Sequence, residues 1–363
     1  MKKLTFYIGI FLSLTILILI LINPDICKKG ALTGLLICCN IIIPSIFPFS
    51  VFVLLLLKAD FLSKFKFLNK PCLKIFGFSL NEFSCFLLSL IGGYPLGAKL
   101  LNQAVLLKKT EKSTATVMLN YCVNAGPAFI ILAVGSGILN SKKLGIILFF
   151  SHILASFILA LLSKKRIKSK HYIPQKTELN IIDSFVLSVS ESANATISIC
   201  SFIVVFSVIL SYINFYSLKF PILKNLSYLL EVTNAVTQNK NVLLISFLLG
   251  FSGFCVWFQT ISQVKTFKIN HLVFIIFRIL HGFLSCSLTF MLLKIFKINT
   301  PTLSNGIDAF YDFSNSSVSA SLSLIIMSII FIISLYTKNF TSNLLEDLVW
   351  YIKRKCIYAK IGF

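Results

Sequence analysis

Apolar runs alternate with short polar breaks along the whole chain, and most breaks are lysine clusters or glycine–proline steps. A run of about 18 or more apolar residues predicts a helix that crosses a bilayer. Met1 to Ile22 sets Lys2 and Lys3 before an unbroken apolar run ending at Asn23-Pro24-Asp25. No small-x-small cleavage site follows, so it reads as an uncleaved first span with a cytoplasmic N-terminus. Ala31 to Leu57 is the second run, and Pro44 and Pro48 within it predict a kink or break. From Lys58 to Glu82 lysines alternate with Phe and Leu, the pattern of helices lying at a headgroup surface. Phe83 to Leu101 is apolar but interrupted by Gly92-Gly93-Tyr94-Pro95-Leu96-Gly97. Such backbone is tolerated at membrane depth only against protein or a wet cavity, so it predicts a re-entrant hairpin. Thr114 to Gly137 is broken at Asn124-Ala125-Gly126-Pro127, and Leu144 to Leu162 is a clean span.

A basic stretch holding Lys164, Lys165, Arg166, Lys168 and Lys170 separates two halves. Beyond it, Ile181 to Asn194 is more polar, Thr196 to Ile213 reads as a span, and Asn214 to Asn241 as interfacial. Val242 to Phe258 is interrupted at Gly250-Phe251-Ser252-Gly253, and His271 to Leu293 and Ser319 to Tyr336 are spans. The halves can be overlaid: Phe49-Ser50-Val51-Phe52-Val53 precedes the Gly92 break as Phe202-Ile203-Val204-Val205-Phe206 precedes the Gly250 break. The first half enters its span from outside and the second from inside, the plan of inverted repeats. The expected fold is therefore an all-α polytopic membrane protein of about seven transmembrane helices plus two re-entrant glycine-broken hairpins. Its expected divisions are an N-terminal transmembrane anchor (1–30), a first gate-like repeat (31–162), a basic cytoplasmic linker (163–180), a second repeat (181–337) and a basic tail (338–363). On this count the tail lies outside, against the positive-inside rule.

Composition agrees with the pattern: 57% of residues are hydrophobic and 13% charged, and mean hydropathy is +0.90. That excludes an ordinary soluble enzyme and a disordered chain. The net charge of +22 raises nucleic acid as a partner. Its distribution argues against that: the lysines sit between apolar runs, where topology and anionic headgroups explain them. The expected partners are a bilayer and a small solute, with other membrane proteins or further copies of the chain open. The ten cysteines form no CxxC and mostly lie inside apolar runs, so they read as small buried hydrophobes rather than a metal framework.

The strongest chemical signal is the first glycine break: Gly92, Gly93, Tyr94, Pro95 and Gly97. Broken helices present backbone N–H groups and positive half-helix ends at mid-membrane, which favour anionic groups. The competing reading is a glycine face for helix packing. Gly250, Ser252 and Gly253, with Gln259, form the paired candidate. Asn120 and Asn124 would share a helix face just before Gly126-Pro127, to bond a solute or satisfy freed carbonyls. Arg278 and His281 lie inside a span, where a charge is costly and functional by default. With His271, Ser285 and Thr289 they make one polar stripe. Arg278 is read either as a fork for a carboxylate or phosphate, as a partner of Glu191, or as a snorkelling cation. His152 stands alone in its span and reads as a hydrogen-bonded packing residue. Glu191 is either a cation-coupling carboxylate or a cap on the next span. No P-loop, HExxH, nucleophile elbow or dinucleotide fingerprint occurs, so no cofactor, resident metal or enzyme activity is expected, and any transport is passive, ion-coupled or partner-driven.

Ile91-Gly92-Gly93-Tyr94-Pro95-Leu96-Gly97-Ala98-Lys99 and Asn120-Tyr121-Cys122-Val123-Asn124-Ala125-Gly126-Pro127-Ala128-Phe129 resemble motifs of the sporulation integral membrane protein YlbJ family of endospore formers. Phe251-Ser252-Gly253-Phe254-Cys255-Val256-Trp257-Phe258-Gln259 is similar to that family's second, more degenerate motif. The resemblance runs from Ala31 to Tyr336 by span order. It implies a gate-type, or nucleoside-recognition, membrane domain similar to parts of nucleoside and ferrous-iron transporters. It also implies a protein of the membranes around the forespore that passes a solute, with dipicolinate the expected one. A nucleoside transporter on the same architecture and a non-transporting assembly factor for the spore envelope are the alternatives.

Overall fold

A computed structural model describes residues 2–60, 65–164, 180–220, 222–239 and 241–297. The expected last span, the tail and most of the basic linker lie outside these residues. In chain order the α-helices are α1 (Lys2–Ile22), α2 (Pro24–Ile37), α3 (Ile43–Lys58), α4 (Asn69–Phe76), α5 (Leu80–Gly92), α6 (Leu96–Leu106) and α7 (Lys112–Met118). They continue as α8 (Lys142–Ser163), α9 (Ile181–Ser217), α10 (Ile222–Leu230), α11 (Val232–Gln238), α12 (Val242–Phe251), α13 (Gly253–Gln263) and α14 (His271–Ile295). Two π-helical stretches, Cys38–Ile42 and Ala128–Ile138, and a short 3-10 turn, Lys66–Leu68, complete the described helical elements.

Among the described residues, four apolar segments are long enough to cross a membrane: α8, α9, α12 with α13 (Val242–Gln263), and α14. Two sharply bent pairs, Gly9–Ile22 with Pro24–Asn40 (106°) and Asn69–Phe76 with Leu80–Gly92 (76°), raise the number to six if each bent pair is one span. The chain is thus a multi-pass helical membrane protein, and the lipid-facing surface is evident on α1, where Phe11, Leu14, Leu17 and Leu21 are exposed.

Several boundaries differ from the sequence reading. The run from Ala31 to Leu57 is split by the π-helical turn at Cys38–Ile42, just before Pro44. Proline removes a donor there, and the wider turn absorbs the mismatch while Pro48 stays inside α3. The polar stretch 181–194 and the span 196–213 are one helix, α9, of 37 residues. At 1.5 Å per residue it is about 55 Å long, more than the roughly 30 Å hydrocarbon core. The two glycine breaks also differ. At the first, the chain folds back, because a Cβ on Gly97 of α6 would lie 3.0 Å from Ser89 Cβ on α5. At the second, α12 and α13 run on as one interrupted 22-residue segment, so the expected second hairpin is instead a continuing span. Ser252 and Gly253 leave helical backbone there, in the left-handed region at φ 68° and 76°, and no proline follows.

Small residues let the helices approach. Gly30 and Gly34 on α2 face α9: a Cβ would lie 2.7 Å from Val208 Cα and 2.8 Å from Val204 Cα, respectively. Four-residue glycine spacing of this kind replaces the hydrophobic drive that lipid does not supply. Gly250 meets Gly282 of α14 in the same way, and Ser246 bonds Ser285 at 2.9 Å and Thr289 at 2.8 Å across that crossing. Helix α5 begins with a full capping box, Ser79 and Glu82, that the sequence carries as S-x-x-E. Glu82 also accepts from Thr110 at 2.9 Å, tying the start of α5 to the loop before α7. Below the breaks, Phe78, Phe86, Tyr121 and Phe157 form an aromatic cluster, with Phe86 and Phe157 rings 4.9 Å apart edge to face.

The loop after α13 is tied by Thr116, whose hydroxyl donates to the Lys268 carbonyl at 3.1 Å, and above all by Asn102. Buried Asn102 Oδ1 accepts from Lys265 N at 2.8 Å and from Thr266 N and Oγ1 at 3.0 Å each. Asn102→Ala leaves those donors without this acceptor, at a cost of about 1–3 kcal/mol. The expected result is faster amide exchange at Lys265 and Thr266 and faster tryptic cutting at the exposed Lys265 and Lys268 in micelles. Unchanged exchange would mean the loop is held by other contacts.

Candidate functional site

Four stretches of broken backbone lie close to one another, and the residues singled out in the sequence are spread over them. The first is Gly93-Tyr94-Pro95, with Gly93 at φ 75° and a cis Tyr94–Pro95 bond. The second is the chain between α7 and the π-helical stretch, residues 119–127. They pack backbone to backbone: a Cβ on Gly93 would lie 3.1 Å from Gly126 N, and one on Gly97 would overlap the Cys122 carbonyl oxygen. Gly92 is looser and meets only the Leu96 side chain. The third break is Ser252, where the Ser252 hydroxyl bonds the Phe251 carbonyl at 2.6 Å. The fourth is Glu231 between α10 and α11. These two also abut, since a Cβ on Gly253 would lie 3.2 Å from the Leu230 carbonyl oxygen. Tyr94 links the pairs: its hydroxyl is buried without a partner among the described residues and within electrostatic reach of Glu231, Arg278 and Cys255.

Helix α7 ends at Met118, so Asn120 and Asn124 do not share a helix face as expected. Their segment turns at 119–122 and then extends. Irregular backbone inside the fold needs partners for its carbonyls. Asn124 Nδ2 and the Ser156 hydroxyl of α8 both donate to the Tyr121 carbonyl, at 2.8 and 2.7 Å. Arg278 of α14 donates to the Val123 carbonyl through Nη1 and to the Asn120 carbonyl through Nη2, the latter at 2.6 Å. The guanidinium fork spans two carbonyls of the break, a geometry a lysine cannot reproduce. Its flat face lies 5.6 Å from the Phe274 ring centroid.

Arg278 is 2% exposed, and no carboxylate among the described residues pairs with it. The expected alternative partner, Glu191, instead pairs with Lys58 of α3 at 3.2 Å. Glu191 is well inside α9, so it does not cap the following span. Arg278 Nε, Asn124 Oδ1 and both Nδ1 atoms of His152 and His281 are buried without a partner among the described residues. Of the α14 stripe, Arg278, His281, Ser285 and Thr289 point inward, while His271 is exposed against Trp257, 5.7 Å away. Gln259 on α13 is buried and bonds Cys255 Sγ at 3.4 Å.

His152 is not alone. Its ring lies 4.4 Å from that of His281, and its Nε2 accepts from Ala125 N at 3.0 Å. Sequence reasoning missed this pair because its members are 129 positions apart on different helices. A second missed group is the lysine set at Glu191: Lys99 of α6 is within electrostatic reach of Glu191, Lys58 and Lys265. It lines a narrow, partly open cleft with Ile46, Ser50, Pro95, Thr196 and Gln263, with room of only about 10 Å³. That is far below small-molecule sites, roughly 300–1,000 Å³, so this cleft has no room for a solute.

No protein-family model matches this chain, and no curated protein or solved structure matches it either.

Proposed function

We propose that this protein carries a small anionic solute across the membrane. The observation that supports this is Arg278: a buried guanidinium, about two turns into a span, without a carboxylate partner among the described residues, beside broken backbone. A charge in a membrane interior is costly; two backbone carbonyls meet part of this one, and an anion would supply the opposite charge that no described carboxylate gives it. The unpartnered hydroxyl of Tyr94 and Nε of Arg278 are further donors available to an anion. In this reading the two halves act as inverted repeats, and their breaks alternate the site between the two sides. The likeness of Ile91–Lys99 and Asn120–Phe129 to motifs of the YlbJ family supports a role in sporulation, at a forespore membrane, with dipicolinate as the anion.

The test is uptake of labelled dipicolinate into liposomes holding the purified protein, with uridine as control. Saturable dipicolinate uptake without uridine uptake is the expected result. Uridine uptake alone would replace the anion by a nucleoside, read by the amides of Asn124 and Gln259. The close packing of Gly93, Gly97 and Gly250 favours a second reading, a non-transporting assembly factor, to which movement of neither solute would point.

A further inference from the structure

His152 and His281 are fully buried, and their ring planes are 30° apart. Their hydrogen bonds fix where the protons sit. The Ala125 N–H can only donate, and it lies 3.0 Å from His152 Nε2. That nitrogen is therefore unprotonated, and the proton of this neutral ring is on Nδ1. The His152 carbonyl can only accept, and it lies 3.0 Å from His281 Nε2. That nitrogen therefore carries a hydrogen, and Nδ1 of neutral His281 holds a free lone pair. Both Nδ1 atoms are buried and unpartnered among the described residues. His152 cannot offer Nδ1 to a metal while it accepts from Ala125, so the pair does not make a two-histidine metal site. One basic nitrogen remains, His281 Nδ1.

Arg278 precedes His281 on the same face of α14, three positions back. The two helices α12 and the stretch 128–138 that pack on the pair carry no titratable side chain. The 119–127 segment brings Tyr121 and Cys122, α4 brings Lys70, Cys72 and Lys74 near the end of α8, and α8 itself carries Lys142 and Lys143 at its start. Cys286 and Lys294 lie further along α14 and His271 begins it. Arg278 is thus the charge nearest in sequence to His281 on the helix they share, and it opposes a second positive charge in so dry a place. An anion beside Arg278 removes that opposition.

The geometry points to a proton site at His281 Nδ1 that fills together with an anion beside Arg278, so that solute movement is coupled to protons. This rests on the anion reading above. A proton from water adds to the Nδ1 lone pair and makes an imidazolium; on the other side of the membrane the ring returns it to water. Linkage is reciprocal: if the anion raises the proton affinity of His281, acid raises the affinity for the anion.

Two measurements test it. The first is nitrogen-15 spectroscopy of histidine-labelled protein in micelles, assigned with His152→Gln and His281→Gln. At neutral pH without anion, His152 is expected as the Nδ1–H form and His281 as the Nε2–H form. Added dipicolinate is expected to convert His281 to the doubly protonated ring. The second is exchange and gradient-driven uptake of dipicolinate in proteoliposomes. Apparent affinity is expected to rise about tenfold per unit fall in pH across the linked range, and His281→Gln to flatten that dependence. Dipicolinate exchange by the wild type with no response to pH, or a His281 that stays neutral with the anion bound, would overturn the proton site and leave the anion reading standing. A wild type that neither binds nor exchanges dipicolinate would overturn the anion reading and the linkage with it.

Discussion

Replacing Arg278 by alanine is expected to release the 119–127 segment from α14 and to end solute uptake. The side chain supplies two charge-assisted hydrogen bonds, to the Val123 and Asn120 carbonyls, in a site that is 2% exposed. Such bonds contribute about 1.5–3 kcal/mol each, so the loss is about 3–6 kcal/mol. The freed carbonyls would have no water to turn to in this interior. Cys122 gives a direct readout, because it is 0% exposed and sits between the two carbonyls in sequence. In a variant whose other cysteines are removed, Arg278→Ala is expected to lower the melting temperature and to open Cys122 to maleimide. Arg278→Lys keeps the charge but cannot span both carbonyls, so an intermediate melting temperature and partial labelling are expected. A Cys122 that stays protected in Arg278→Ala would mean the segment is held by Asn124, Ser156 and His152 alone, and Arg278 would then be free for a solute.

Gly97→Ala is expected to be at least as damaging, although it adds one carbon. The added Cβ would overlap the Cys122 carbonyl oxygen and lie 2.8 Å from its carbonyl carbon. Both neighbours are backbone, so no side chain can turn away. The turn at Gly93–Pro95 would have to part from the 119–127 segment, and with it the contact on which the candidate site rests. Gly92→Ala, five positions earlier, is the control. There the added carbon meets only the Leu96 side chain, 2.7 Å at its Cδ2, which can rotate. The expected outcome is aggregated or poorly expressed Gly97→Ala and a monodisperse Gly92→Ala by size-exclusion chromatography in detergent. Equal behaviour of the two would show that the two breaks are not rigidly joined.

These expectations draw on different levels of the molecule. The pattern of apolar runs was enough for an all-helical membrane protein, because burial in lipid demands long apolar helices whatever their neighbours. It also placed α8 and α14 within two residues of their ends and marked both glycine-bearing breaks. Arg278, His281, Ser285 and Thr289 were legible as one stripe because helical periodicity is local.

What lay beyond the sequence was how each break ends and which helices share a contact. The first break folds back where Gly93, Tyr94 and Pro95 separate α5 from α6, and the second continues because only the Ser252-Gly253 step leaves helical backbone. Asn120 and Asn124 lost their shared face once α7 stopped at Met118, a boundary set by the carbonyls that Arg278 and Ser156 satisfy from other helices. The same holds for Glu191, given to Lys58, and for His152, paired with His281. The sequence by itself determined the class of fold and the residues able to carry chemistry, since hydropathy and side-chain type act one helix at a time. Only the tertiary structure decided their partners, because a buried donor or charge takes whichever group the packing of distant helices brings within about 3 Å.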